Sequence, residues 1–403
     1  MSEEDTLRHR KETITALLFL ALLAAGLCYI GVLFLKGESA LRTSLGALRR
    51  DPGSFPTFVA QAESDLNEDL DQSHGFIELY GGFQRLTGRR VIQDVNQDAQ
   101  VVKLADGALN FSYLSGEPMD ISGPAQAVDR LRGALEERGV PLLYVAAPQK
   151  VQSAALLPPG LADYNNGNAD RLLAALETAG TDTVDLRPLF AETGRYADYF
   201  FRTDHHWKPE GAFLAWQYLT GILEEDYGIA TDPAYTDAAN YDQVVYEDYF
   251  LGSQGKRVGT LYAGTDDIVE YIPKFETDFT YECPSYPFTR TGPFEESLLF
   301  PERVAERDWF NGNPYTLYAG GDYPLATITN HRNPEGKKIV LLRESFSCAM
   351  TPFLALSCSE LTTIDLRYFQ GDLTETLEEI DPDLVVILYC VSSLSNQDLF
   401  DFD

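Results

Sequence analysis

Three regimes of hydrophobic and polar patterning follow one another along this chain. From Ile14 to Leu35 the run ITALLFLALLAAGLCYIGVLFL carries no charged residue. As a helix rising 1.5 Å per residue it reaches about 33 Å, enough to cross a hydrocarbon core about 30 Å thick. A cleaved signal peptide has a shorter apolar stretch, and no small-x-small site follows Leu33, Phe34 and Leu35. Leu27 stands where a lipoprotein signal needs a small residue before Cys28. The run predicts a retained transmembrane helix over 14–35, behind a cytoplasmic tail over 1–13. Arg8, Arg10 and Lys11 precede it, and Lys36, Arg42, Arg49 and Arg50 follow it. That count is nearly balanced, so charge alone does not orient the span. A short tail ahead of a long acidic domain favours tail in and domain out: a single-pass protein of the cell membrane with its large domain extracytoplasmic.

The second regime, 36–123, is irregular. Helix-like stretches at Ala40–Arg50 and Phe58–Asp69 alternate with Gly and Asp breaks, which predicts a stalk and a lead-in segment. The third regime begins at Pro124. Ala127, Leu131 and Leu135 recur at helical spacing, and Gly139 closes that helix. Val140–Ala147 then reads as a buried parallel strand. Helices are expected at Asn168–Ala179, Ala212–Tyr227, Ser347–Leu356 and Leu373–Ile380. Strands are expected at Thr183–Leu186, Lys338–Leu342, Leu361–Leu366 and Leu384–Cys390. Strands alternating with helices predict an α/β domain over 124–403 with a parallel sheet flanked by helices. Residues 231–335 break that rhythm. They are rich in Tyr, Phe and Pro and predict an aromatic-rich insertion of strands and loops.

Composition changes this picture in two respects. The chain has 62 Asp+Glu against 31 Lys+Arg, a net charge of −31. Such a surface is repelled by phosphate backbones, which excludes nucleic acid as a partner class. Outside the apolar run lie Cys283, Cys348, Cys358 and Cys390. Four cysteines allow three pairings, and they read equally as small buried hydrophobes. No CxxC or Cys/His spacing points to zinc.

Candidate chemistry centres on the segment Phe200-Phe201-Arg202-Thr203-Asp204-His205-His206-Trp207. Three readings compete: a metal site using Asp204 and the His pair, an Asp–His pair serving a nucleophile, and a satisfied polar turn. Further ligands in HxH, HxxxH or DxD spacing are lacking, as are the Asp-rich metal motifs of DHH phosphoesterases. On extended backbone Asp204 and His206 project to the same side. The carboxylate then orients one ring nitrogen while the other serves a nucleophile. An α/β fold presents nucleophiles at a strand-to-helix turn. Ser345 follows the strand Lys338–Leu342 through Arg343-Glu344, and a helix start there offers free N–H groups to an oxyanion. A Ser in that place also reads as an ordinary N-cap.

Asp204-His205-His206-Trp207, Arg343-Glu344-Ser345-Phe346 and the later TTIDLRYF together resemble the DHHW protein family. That family is related to the SGNH-hydrolase-like domains of the alginate O-acetyltransferase proteins AlgJ and AlgX. Val145–Lys150 is similar to their strand ending in a Pro-Asn-Lys-type sequence, and the likeness covers roughly Pro124 to Asn396. It implies an SGNH-hydrolase-like domain with Ser345 as nucleophile, His206 as base and Asp204 as acid. Gly252 and Lys150 are candidate oxyanion or substrate contacts. Arg343 stands where Gly is usual and Glu344 where Asp or Asn is usual, which leaves the turn before Ser345 in question. The resemblance implies O-acyl (acetyl) transfer or ester hydrolysis on a cell-surface polysaccharide, without metal or cofactor, with an MBOAT-type membrane acyltransferase as partner. The rival expectation is a non-catalytic glycan-binding or scaffolding module of a polysaccharide-modification complex.

Overall fold

The structure is a computed structural model. It describes residues 3–37, 39–51, 53, 55–71, 74–93, 100–111, 118–286 and 288–402. Positions 94–99 and 112–117, within the segment expected as a stalk, lie outside the described residues. The chain divides into two compact units, Met1–Phe83 and Gln84–Asp403.

In the first unit α1 (Glu3–Lys36) contains the apolar run. Among the described residues one helix, Arg10–Lys36, is long and apolar enough to cross a membrane. Arg42 Nη1 donates to the carbonyl of Phe34 at 2.8 Å, satisfying an acceptor that the end of α1 leaves open. α2 (Ala40–Arg50) starts at Ser39, whose hydroxyl accepts the Arg42 N–H at 3.1 Å. α3 (Phe55–Asp71) and α4 (Gly75–Leu86) follow.

The second unit opens on a small antiparallel sheet, β1 (Val91–Gln93), β2 (Gln100–Lys103) and β3 (Leu109–Phe111). Its apolar face, Ile92, Val101, Leu109 and Phe111, packs on Val258 and Tyr262. Part of the segment expected as a stalk is therefore built into this unit. Among the described residues the central sheet has eight strands. Five are parallel, in the spatial order β5 (Asp182–Asp185), β4 (Leu142–Ala147), β13 (Leu384–Cys390), β11 (Lys338–Arg343) and β12 (Glu360–Ile364). β4, β11 and β13 coincide with short apolar runs in the sequence, as expected of strands covered on both faces, whereas the edge strand β5, DTVD, buries only Val184.

The region 231–335 divides. β6 (Tyr241–Phe250) and β7 (Asp266–Pro273) form a separate two-stranded ribbon. β8 (Phe279–Cys283), β9 (Phe288–Gly292) and β10 (Leu325–Asn330) instead extend the central sheet antiparallel, β10 pairing with β12. Alternation along β4 shows why there are three layers. Leu142, Tyr144 and Ala146 face the core under α5 (Ser122–Glu136) and α6 (Asn165–Ala179). Leu143, Val145 and Ala147 face the opposite core, covered by α7 (Pro209–Tyr227) and the aromatics of the inserted region. α8 (Leu373–Ile380) belongs to the first face. Phe353 illustrates the aromatic side: it meets Phe213, Trp216, Tyr271 and Phe294 at centroid separations of 5.1–5.9 Å. Its truncation to Ala is worth about 3–5 kcal/mol in such a core. Cys283, Cys348, Cys358 and Cys390 are buried free thiols.

Candidate active site

Four parallel strands deliver side chains to one edge of the sheet. β11 runs into Glu344 and Ser345, β12 into Asp365 and Arg367, β13 into Ser392 and Ser393, and β4 into Gln149 and Lys150. This is the carboxyl edge, where open α/β sheets place their sites.

The other half comes from the loop between Phe200 and Trp207, which is closed by a bridge between those two residues. Asp266, at the start of β7, holds the loop from below. Its carboxylate accepts the N–H of Arg202 at 2.8 Å, the N–H of Thr203 at 2.7 Å and the Thr203 hydroxyl at 2.6 Å. Asp204 and His206 meet through a turn rather than along extended backbone. Asp204 Oδ1 accepts the His206 N–H at 3.1 Å and also lies 2.5 Å from His206 Nδ1. An Asp side chain that accepts the N–H two residues on bends the chain locally. The Ser253 N–H donates to the other carboxylate oxygen at 2.6 Å.

That arrangement gives His206 an N–H at Nδ1 and a lone pair at Nε2. Nε2 lies 2.8 Å from Ser345 Oγ. Tyr315 stacks on the ring of His206 at 4.1 Å and 16°. Its hydroxyl donates to the carbonyls of Ser345 at 3.1 Å and Phe346 at 2.9 Å. Asp204 is buried, which alone would push its carboxyl up. The His205 and His206 rings, the Nδ1 hydrogen bond and the Ser253 N–H outweigh that and hold it well below the usual carboxylate range.

His205 does not contact Ser345 Oγ by hydrogen bond. Its Nδ1 lies 3.1 Å from Ser253 Oγ, and burial together with the neighbouring His206 pushes its pKa down to about 3. Donor atoms of Asp204, His205 and His206 lie within 4.8 Å of one another, so these residues could take an ion. Such an ion would compete for the bond between Asp204 and His206 Nδ1.

Arg343 and Glu344, the two departures before Ser345, have separate explanations. Glu344 has φ −130° and ψ −172°, extended backbone that needs no glycine. Arg343 is buried and pairs with Asp322, which also receives Arg367 at 3.1 Å. Arg367 is gripped in addition by Asp365, at 2.9 and 2.6 Å. Glu344 faces the site. Its Oε2 lies 3.1 Å from Ser345 Oγ and accepts the Phe346 N–H at 3.1 Å, while Oε1 accepts the Cys390 N–H at 3.0 Å. Burial pushes its pKa up, against Arg367, the Cys390 N–H, His206 and the Phe346 N–H.

Gly252 and Lys150 do not line the clefts at Ser345. The Gly252 N–H is committed to Thr203 Oγ1 at 2.8 Å. A Cβ there would stand 2.2 Å from the Asp204 Cβ, so the residue supplies space. Lys150 is buried with its pKa lowered to about 8 by desolvation, and its Nζ donates to the carbonyls of Leu109 and Asp204. It ties β3 to the backbone of Asp204. The helix expected over Ser347–Leu356 is split into a 3-10 turn, Ser345–Ala349, and a short helix, Thr351–Ala355, with Pro352 in its first turn. Tyr315, Asp266, Asp322 and Arg367 were not singled out from the sequence. Of these only Arg367 carried a signal, as part of TTIDLRYF.

Two clefts meet at Ser345. One, of about 340 Å³, is bounded by His206, Lys256, Asn313 and Thr316. The other, of about 280 Å³, is bounded by Glu344, Ser392, Ser395 and Asn396. Ser345, His205 and Arg367 border both.

A family model described as an SGNH hydrolase-like domain, acetyltransferase AlgX, matches residues 113–242. The chain has an SGNH-hydrolase-like α/β fold. The matched stretch holds Asp204 and His206 and ends before Ser345. The alginate biosynthesis protein AlgX of Pseudomonas aeruginosa is 26% identical over 275 residues, 66% of this chain and 51% of that protein. The chain thus spans about half the length of the curated relatives it matches. Among solved structures, Bacillus cereus PatB1 shares the SGNH-like fold at TM-score 0.63 and 23% identity, covering 76% of this chain and all of that one. A DHHW family protein from Eubacterium siraeum does so at TM-score 0.56 and 20% identity, covering 77% of this chain and 98% of that one.

Proposed function

We propose that this chain is a membrane-anchored, extracytoplasmic O-acyltransferase or esterase that moves acyl, chiefly acetyl, groups to or from hydroxyls of a cell-surface polysaccharide. The observation that carries this is the continuous line from Asp204 Oδ1 through the His206 ring to Ser345 Oγ, with steps of 2.5 and 2.8 Å. In this reading His206 Nε2 takes the Ser345 proton as Oγ attacks an acyl carbon. Asp204 holds the ring and stabilises the imidazolium. The proton passes to the leaving oxygen. A sugar hydroxyl or water then gives its proton to Nε2 and releases the acyl group from Ser345. The Ser345 N–H and Arg367 Nη1 have no acceptor among the described residues and serve the oxyanion.

The polysaccharide rests on relatedness to a protein named for alginate biosynthesis. The anchor rests on the apolar helix Arg10–Lys36. An MBOAT-type acyltransferase as acyl supplier belongs to the same reading. The full chain in detergent, mixed with para-nitrophenyl acetate, should release nitrophenol and lose that activity in S345A.

One observation favours the rival, a glycan-binding or scaffolding module. The Glu344 carboxyl shares the Ser345 hydroxyl and occupies the Phe346 N–H, which a nucleophile elbow would offer to the oxyanion. A chain that binds glycan but never acylates Ser345 would be of that kind.

A further inference from the structure

Ser345 stands at the junction of two clefts, but only one of them is bordered by His206. This asymmetry has a chemical meaning if Ser345 is the nucleophile, the reading on which the following rests. In the first half of the reaction the ester R–CO–O–R′ loses R′O. The proton that left Ser345 Oγ passes from Nε2 to that oxygen, giving R′OH and an ester of Ser345. In the second half an acceptor R″OH gives its proton to Nε2 and attacks the same carbonyl carbon, and Oγ leaves and regains a proton. Each transfer needs hydrogen-bond reach to Nε2. The leaving alcohol and the accepting alcohol must therefore stand, in turn, where Nε2 is open.

We infer that the cleft bordered by His206, Lys256, Asn313 and Thr316 is the alcohol side of the site, used successively by the leaving group and by a polyhydroxyl acceptor. The cleft bordered by Glu344, Ser392, Ser395 and Asn396 takes the acyl chain. The lining of the first suits a sugar. The exposed Asn313 carboxamide has no hydrogen-bond partner among the described residues. Lys256 Nζ is fixed by the Gly312 carbonyl at 2.7 Å, and Thr316 Oγ1 by the Asn313 carbonyl at 2.7 Å. Occupancy of one cleft by both alcohols makes the kinetics ping-pong, with acceptor and donor competing for the free enzyme.

Asn313 and Ser395 are both exposed, so a tryptophan at either fills its cleft without entering the core. Three esters separate the sides: para-nitrophenyl acetate, para-nitrophenyl butyrate, and methylumbelliferyl acetate with its bulkier leaving group. In N313W the kcat/KM ratio of methylumbelliferyl to nitrophenyl acetate should fall about tenfold against the unmodified chain, with the butyrate-to-acetate ratio moving far less. In S395W the butyrate-to-acetate ratio should fall about tenfold and the leaving-group ratio far less. Glycerol, as a minimal polyol, should accelerate deacylation in the unmodified chain and lose that effect in N313W. Exchanged or equal effects in the two variants overturn the cleft assignment while leaving Ser345 as nucleophile. No nitrophenol release by the unmodified chain overturns the nucleophile itself, and the assignment with it.

Discussion

The indole of Trp207 donates from Nε1 to the carbonyl of Phe346 at 2.7 Å. The neighbours of His206 and of Ser345 are thus tied to each other one residue beyond the 2.8 Å contact of those two side chains. Two parallel links join a loop and a strand end that are 139 residues apart. The first link positions and the second is proposed to react. W207F should keep the ring packing against Phe190 and lose the donor. A drop of about 0.5–1.5 kcal/mol in unfolding free energy is expected. Esterase activity should fall further than that loss alone explains, because the Ser–His distance is no longer held. Denaturant unfolding and turnover on the same sample check both.

The two histidines should separate cleanly. H206A and D204N each remove a member of the Asp–His–Ser line and should lower kcat/KM on para-nitrophenyl acetate about 10⁴-fold. H205A should cost far less, since the ring hydrogen bond of His205 is with Ser253 and not with Ser345. Equal losses in H205A and H206A would transfer the role of base or dissolve it.

Glu344 gives a pH signature. Burial raises its folded pKa above the unfolded value. As pH rises from the ordinary carboxylate range through the raised value, the unfolded chain ionises first, so folding loses stability in that window. E344Q lacks the group, and the stability of the unmodified chain minus that of E344Q should fall across it. A carboxylate 3.1 Å from Oγ also competes with His206 for the serine proton. E344Q should therefore raise kcat/KM near pH 7. A fall to the level of S345A would mean that the carboxylate is required.

Arg367 is proposed to face the oxyanion while Asp365 and Asp322 hold its other nitrogens. R367M should lower kcat/KM about 10²–10³-fold, the usual cost of one oxyanion donor. The effect should lie in kcat more than in KM, because the charge it meets develops only in the transition state. A pure KM effect would make Arg367 a ground-state contact.

Some of this was legible in the sequence and some was not, for physical reasons. The parallel strands announce themselves because strands covered on both faces must be apolar throughout, as in Leu384–Cys390. Residues close in sequence also announce the candidate site: Asp204 with His206, and Ser345 just past the end of β11. The spacing of Asp204 and His206 suggests extended backbone, and the structure bends it instead. A carboxylate that accepts its neighbour's N–H bends the chain, and spacing alone does not reveal which acceptor a given N–H chooses. Distant partners leave no pattern. Asp266 holds the loop from 63 residues away, and Tyr315 covers His206 from within a stretch that reads as a loop. Gly252 illustrates the limit: a glycine needed for the space beside Asp204 looks in sequence like one needed for its N–H.

The central claim is that Ser345 takes an acyl group with His206 as its base. Intact-mass analysis of the full chain in detergent, after brief exposure to para-nitrophenyl acetate at neutral pH, tests it most directly. One added acetyl group is expected, mapped to Ser345, absent in S345A and strongly reduced in H206A. A folded sample with no acetyl group at Ser345 and no nitrophenol released across pH 6–9 would contradict the account and leave a glycan-binding module in its place.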